Sequence, residues 1–199
     1  MPVALPEPES IHDRALDQIR FIRSAVESGG PFTAVPGLGG VAMGVVGLVA
    51  TAVAASETAS PQRWLTVWFI TAAVAVTIGV VSMIRKSRRA GPSLVSVPAR
   101  RFALAFFPAL AAAGVLTFAL VQREAWDLLP PLWLLSYGVA VTGGGALSVR
   151  IVPFMGLALL VIGVLALFVP FQIANLLLGL GFGVVQIAAG VVIMRRYGG

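Results

Sequence analysis

The sequence contains no cysteine and a single histidine, His12, among its 199 residues. Without thiols there is no disulfide and no thiolate metal site, and one histidine outside the apolar stretches makes neither a zinc cluster nor a Ser–His pair. Glu124 and Asp127 are close enough in sequence to suggest an acid–base pair, but a solvated loop explains them better. We therefore expect no metal and no cofactor, and a protein that is not an enzyme.

Charge is also scarce. Charged residues make up 11% of the chain and hydrophobic residues 58%, with a mean hydropathy of +0.96. A typical soluble domain carries about 25% charged residues, so this chain has too little polar surface to cover an apolar core in water. Disordered, collagen-like and nucleic-acid-binding proteins are excluded because each needs a polar or basic chain. The composition indicates an integral membrane protein whose partners include membrane lipids and no nucleic acid.

Six stretches without a charged residue are long enough to cross about 30 Å of hydrocarbon, which takes about 20 apolar residues. They are Leu38–Ser56, Trp64–Ile84, Phe102–Val121, Leu128–Val149, Val152–Val169 and Gln172–Met194. Pro153 and Pro170 mark breaks around the fifth stretch. The sequence predicts an all-α integral membrane bundle of six transmembrane helices over residues 38–199. Residues 1–37 before it form a cytoplasmic tail that contains an amphipathic helix.

Lysine and arginine are distributed unevenly between the two sides of this bundle. Of 14 such residues, only Arg63 and Arg123 lie in the loops of one side, and the tail, the other loops and the C-terminus hold the rest. Cytoplasmic loops carry the excess of Lys and Arg, so both termini are predicted to be cytoplasmic, as an even number of spans requires. The four tryptophans fall near the opposite, external interface. No cleavable signal peptide is expected, because the first apolar stretch begins only at Leu38.

Small and polar residues share one face in three of the stretches. In the first, fourth and sixth stretches, respectively, they are Gly40, Gly44, Gly47, Thr51 and Ala54; Gly138, Thr142 and Gly145; and Gln172, Asn175, Gly179, Gly183, Gln186 and Gly190. Such faces allow helices to approach closely, and amides bond across to neighbours. A cavity wall that binds a solute is the alternative interpretation. Its candidate ligand-binding residues are Asn175, Gln186, Gln172, Thr142, Trp64 and Trp126.

Six basic residues and no acid occupy the 85–101 connection. They are Arg85, Lys86, Arg88, Arg89, Arg100 and Arg101. The simplest interpretation is a topology signal, and the alternative is a site for anionic lipids at the cytoplasmic surface.

An amphipathic helix is predicted over Ser10–Glu27 in the tail. Its apolar residues recur at helical spacing: Ile11, Ala15, Ile19, Ile22 and Val26. This helix lies on the inner leaflet in one interpretation. In the other it docks a cytoplasmic protein partner or a second copy of the chain, which would make a homo-oligomer.

Three segments resemble a small family of bacterial inner-membrane proteins with no established activity. They are Ala15–Arg23, Phe32–Gly37 and Arg195–Gly199. The resemblance implies a bacterial inner membrane and no mechanism.

Within the six stretches there is no Asp, Glu, Lys, Arg or His, which disfavours a transporter driven by protons alone. The leading hypothesis is a non-enzymatic membrane scaffold or regulatory subunit that acts through helix–helix and partner contacts. The alternative is a solute-binding or transport protein, since the architecture resembles the membrane-embedded binding subunits of vitamin transporters.

Overall fold

The computed structural model describes residues 18–19, 35, 37–90 and 96–197, without the side chains of residues 89 and 90. The chain divides into two units, Met1–Gly30 and Pro31–Gly199. In the first unit only Gln18 and Ile19 are described, both in helical conformation. Apart from these two residues, the amphipathic helix predicted over Ser10–Glu27 lies outside the described residues. The second unit contains the helical bundle.

Each of the six apolar stretches forms a helix. The helices are α1 (Gly37–Ser56), α2 (Pro61–Ala90), α3 (Val97–Gln122), α4 (Leu129–Gly145), α5 (Ile151–Ala166) and α6 (Phe171–Tyr197). Four of these, α1, α2, α3 and α6, are long and apolar enough to cross a membrane. The described part of the chain is thus a helical, membrane-embedded protein. α4 and α5 have 17 and 16 residues, which correspond to about 25 Å at 1.5 Å per residue.

Both short helices end earlier than the hydrophobic pattern predicts. α4 stops at Gly145 instead of Val149 because three consecutive glycines, each about 1 kcal/mol worse than alanine in a helix, weaken its last turn. The N–H groups of Leu147 and Ser148 then bond to carbonyls three residues back. α5 stops at Ala166 and is also followed by bonds to carbonyls three residues back. Pro170 comes soon after and has no N–H to continue a helix.

Neighbouring helices run in opposite directions. α1 packs antiparallel along α6, and α4 packs against both α3 and α5. The largest fully buried side chains include Leu134, Leu159 and Leu178, one from each of α4, α5 and α6. The bundle therefore has a core of α1, α4, α5 and α6, while α2 and α3 lie on its outside.

The two ends of the bundle differ in chemistry. We call the end with the C-terminus of α1 and the start of α2 and α6 the tryptophan end, because Trp64 and Trp68 lie there. At the other end, which we call the basic end, Lys86 of α2 donates hydrogen bonds to the carbonyls of Val35 and Tyr197. Val35 precedes α1 and Tyr197 ends α6, so both limits of this helical unit meet at the basic end.

The glycine faces predicted in α1 and α4 are contact surfaces. The five residues of the α1 face are all buried. A Cβ on Gly47 would lie 2.7 Å from the carbonyl oxygen of Phe182 in α6. A Cβ on Gly138 of α4 would lie 2.9 Å from the side chain of Leu160 in α5. Since real side-chain carbons do not approach so closely, these backbones can lie this near each other only when the residue is glycine.

We expect Gly47→Ala to destabilise the protein by about 1–3 kcal/mol, because the new methyl group would force α1 away from α6. Resistance to unfolding in mixed detergent micelles would measure this cost. Gly114→Ala is the matched control, since a Cβ at Gly114 on the outside of α3 meets nothing within 4 Å. The control should be neutral or slightly stabilising, because alanine is the better helix former. Equal effects of the two substitutions would contradict close α1–α6 packing.

Candidate functional site

A buried amide, Asn175 of α6, joins three helices at the tryptophan end. Its Oδ1 accepts hydrogen bonds from the indole N–H groups of Trp64 at 2.8 Å and Trp68 at 3.2 Å, both in α2. Its Nδ2 donates to the carbonyl oxygen of Thr51 in α1 at 3.2 Å. Asn175 and Trp64 are both fully buried, at 0% exposure. The amide thus has both its polar atoms engaged by its own protein.

Aromatic rings fill the space around this amide. Trp64 stacks on Trp133 of α4 with ring centroids 5.4 Å apart and planes at 9°. Phe171 lies on the opposite flank, 4.8 Å from the Trp64 ring, and Phe182 lies 6.1 Å from Trp68. Ring pairs in this range of distances attract one another beyond their burial. The Asn175 cluster, defined as Asn175 with these five aromatic residues, is therefore a packed polar core.

The sequence predicts that all four tryptophans lie near the external interface, but it does not predict that two of them pack inside the bundle. Trp64 and Trp68 lie inside the bundle, whereas Trp126 and Trp133 are partly buried. An indole N–H is satisfied equally well by an interior acceptor, and in the apolar interior such a bond is electrostatically stronger than in water. Asn175 supplies that acceptor, which the interface rule for tryptophan does not consider.

Trp133 makes a second polar link. Its indole N–H donates to Thr117 Oγ1 of α3 at 2.9 Å. The Thr117 hydroxyl in turn donates to the carbonyl of Ala113 at 2.7 Å. This chain of bonds attaches the outer helix α3 to α4.

Gln186 forms a separate polar point deeper in α6. It is buried, and its side chain interacts with the hydroxyl of Tyr137 in α4. Among the described side chains, Gln186 Oε1 is the buried oxygen or nitrogen without a hydrogen-bond partner. An orphaned acceptor of this kind costs about 1–3 kcal/mol.

A π-helical segment, Gly179–Val185, lies between Asn175 and Gln186 in α6 and contributes Phe182 to the Asn175 cluster. π-Helical turns are rare and less favourable than α-helix, and they occur often at functional sites. Here the segment widens α6 where three of its glycines are buried against other helices: Gly179, Gly181 and Gly183. The sequence carries no signal for it, because a run of glycine and apolar residues is equally typical of ordinary α-helix.

The six residues predicted as ligand-binding are not brought together. Asn175 and Trp64 meet, but Gln186 contacts Tyr137 instead. Gln172 is exposed at the start of α6. The Thr142 hydroxyl donates to the Gly138 carbonyl and lies against α5. Trp68 and Tyr137 were missed, although the spacing of Trp64 and Trp68 by four residues places both indoles on one helix face.

An apolar groove of about 400 Å³ runs between α1 and α6 on the outside of the bundle. Its lining is Leu48, Thr51, Ala52, Ala55, Leu176, Gly179, Leu180 and Val184. The Thr51 hydroxyl is already bonded to the Gly47 carbonyl at 2.8 Å. Neither Asn175 nor Gln186 lines the groove, so the polar groups of α6 do not open into it.

The six basic residues predicted as lipid-binding lie around the ends of α2 and α3. Lys86 donates 3.0 Å to the Val35 carbonyl and 3.3 Å to the Tyr197 carbonyl. Arg85, Arg88 and Arg100 are exposed. The side chain of Arg89 lies outside the described part of the structure. Lys86 thus has a structural role that the sequence did not predict.

Within the described residues, no three His, Cys, Asp or Glu side chains are grouped as a metal site would require. Comparisons with protein-family models, with curated proteins and with solved structures find no match to this chain. The geometry of the bundle is therefore the basis for proposing a function.

We expect Asn175→Leu to cost about 2–4 kcal/mol of stability, because it would leave two buried indole N–H groups without an acceptor. Thermal unfolding in detergent would measure the loss. Gln172→Leu, three residues earlier on the same helix but exposed, is the control and should change stability little. Trp64→Phe combined with Asn175→Leu should cost less than the sum of the two single substitutions, since one orphaned donor is removed. Absence of coupling in that double-mutant cycle would contradict the bond.

Proposed function

We propose that this protein is a non-enzymatic scaffold or regulatory subunit of the bacterial inner membrane that acts through contacts of its helices with other membrane segments. The observation that carries this proposal is the exposure of α2 and α3. In the apolar 18-residue segment of each helix, the share of residues buried within the protein is 39% for α1 and 44% for α6. The same share is only 6% for α2 and 11% for α3. Most of the surface of these two membrane-length helices is thus available for contact with other membrane segments.

The internal use of polar groups supports the same proposal. Asn175, Trp64, Trp68, Trp133 and Thr117 bond to one another or to nearby carbonyls. Side chains occupied in this way hold helices in place, and none of them lines the apolar groove between α1 and α6. The described core is consequently more typical of a rigid support than of a reaction site.

All six helices cross the membrane in this proposal, with both termini in the cytoplasm. The excess of Lys and Arg at the basic end favours that orientation. The shorter α4 and α5 lie among longer helices, where local thinning of the bilayer or the 3₁₀ turn at Trp126–Leu128 makes up the missing length. The tail helix proposed over Ser10–Glu27 would then face the cytoplasm, where it can meet the inner leaflet, a protein partner or a second copy.

A photo-crosslinking residue placed on the outer helices tests this proposal. Val115 of α3 and Val76 of α2 are 71% and 64% exposed. In native membranes we expect both positions to give adducts with a protein, a second copy or another chain, since helices of a scaffold lie against their partners. Gel shift and mass spectrometry of the adducts are the measurements.

Leu176 of α6, which is 58% exposed beside the apolar groove, is the matched control position and should label lipid. Native mass spectrometry from mild detergent should show a dimer or a retained partner. Lipid adducts alone at all three positions, together with a lone monomer, would overturn the scaffold proposal.

A solute-binding protein is the second candidate, and the unpartnered Oε1 of Gln186 is the observation in its favour. The two candidates predict opposite results for Gln186→Leu. In a packed core the substitution removes an orphaned acceptor but also the amide that interacts with the Tyr137 hydroxyl, so stability should change by no more than about 1 kcal/mol. A solute site would instead lose a bound metabolite that the unchanged protein retains through purification. Metabolite analysis and thermal unfolding of the two proteins decide between them.

A further inference from the structure

The charges of the 31–199 unit are separated between its two ends. From residue 31 onward, nine Lys and Arg residues belong to the basic end, and no Asp or Glu accompanies them. The tryptophan end has two arginines and three acids: Arg63, Arg123, Glu57, Glu124 and Asp127. Arg63 lies 3.8 Å from Glu57 there, so part of that charge is paired internally.

The tertiary structure gathers the basic residues from three helix ends. Lys86 near the end of α2 bonds to the last carbonyl of α6, at Tyr197, which places Arg195 and Arg196 beside the end of α2. Lys86 also bonds to the carbonyl of Val35. The Val35 side chain packs against Ala99, next to Arg100 at the start of α3. One lysine and one valine thus connect all three ends.

The arginines of this surface point away from the bundle. Arg85, Arg88, Arg100, Arg195 and Arg196 are all exposed. Each lies near the end of an apolar helix, just outside its uncharged stretch, so its guanidinium lies at the depth where lipid headgroups begin. Guanidinium groups bind phosphate oxygens in bidentate fashion, and the 31–199 unit has no Asp or Glu at this end to compete with a phosphate for these five arginines.

We infer that the basic end is a binding surface for anionic phospholipids, which gather their phosphate headgroups around the ends of α2, α3 and α6. Charge complementarity is the reason for choosing this occupant. The surface carries only positive charge from its own unit, and an anionic leaflet presents phosphate at the same depth. The inference does not depend on the scaffold proposal, since it needs only the membrane-embedded helices and their charges.

The test uses the full-length chain in vesicles of equal parts phosphatidylglycerol and phosphatidylcholine. Small polymer-bounded discs extract the protein with its surrounding lipids, and mass spectrometry counts them. We expect phosphatidylglycerol to be enriched about threefold over the bulk vesicle at about 0.05 M salt. The enrichment should fall toward the bulk ratio at about 0.5 M salt, because screening shortens the range of the arginine charges.

Two double variants locate the surface. Arg195→Gln with Arg196→Gln, and separately Arg85→Gln with Arg88→Gln, should each lower the phosphatidylglycerol enrichment from about threefold toward the bulk ratio. Arg63→Gln with Arg123→Gln at the tryptophan end is the matched control and should leave the enrichment intact. Unfolding midpoints in pure phosphatidylcholine show whether each variant is folded. If one is not, the salt dependence of the unchanged protein still decides.

Four results would overturn the inference. The first is equal amounts of the two lipids around the unchanged protein at low salt. The second is an enrichment that the tryptophan-end control loses as much as the basic-end variants do. In the third, inorganic phosphate at constant ionic strength abolishes the enrichment, which would make the ligand free phosphate. The fourth is phosphatidylglycerol enrichment that arises only after the five acids of the tail are substituted by their amides, which would show that the tail, and not lipid, occupies the surface. These acids are Glu7, Glu9, Asp13, Asp17 and Glu27.

Discussion

Close approach of α1 and α6 is the contact on which the rest of this bundle depends. In a bilayer, lipid tails are as apolar as leucine, so apolar side chains gain little by leaving lipid for another helix. Dispersion and polar contacts must supply the association, and both require short distances. Gly44 and Gly47 bring the backbone of α1 directly onto α6, with Gly47 facing the Phe182 carbonyl. The first and last helices of the unit are thereby joined, and the helices between them are confined.

Polar groups then fix which helix lies where. Asn175 has an oxygen that accepts from α2 and a nitrogen that donates to α1. These bonds form in a medium without water, where an unpaired polar group would have no alternative hydrogen-bond partner. Trp133 and Thr117 do the same between α4 and α3. A π-helical segment and an orphaned Gln186 oxygen lie in the same helix as Asn175. The π-helical segment and the orphaned oxygen, both unfavourable, thus lie close in the chain to the hydrogen bonds of Asn175, whose stabilisation offsets their cost.

The outside of the protein is as informative as its core. Apart from Trp64 and Trp68, which α2 places in the core, α2 and α3 are largely exposed, while the charges lie at the ends of the helices. In the proposed scaffold, apolar helices would face other membrane segments and arginines would face the leaflet surface. Dispersion would act in the plane of the membrane, and charge would act at its surface. The two act on different parts of the chain, so they can be altered independently.

The sequence determined the helices, the membrane and the small-residue faces, because each depends on local composition and a repeat of 3.6 residues. It also placed charge on one side, since Arg and Lys positions need no tertiary knowledge. Only the tertiary structure decided which helices pack together. The spacing of residues cannot show that α1 packs against α6, at the far end of the chain. The same holds for Trp64 and Trp68, whose interior place depends on an acceptor 111 and 107 residues away at Asn175. Lys86 likewise became a link only where folding brought two carbonyls to its ammonium group.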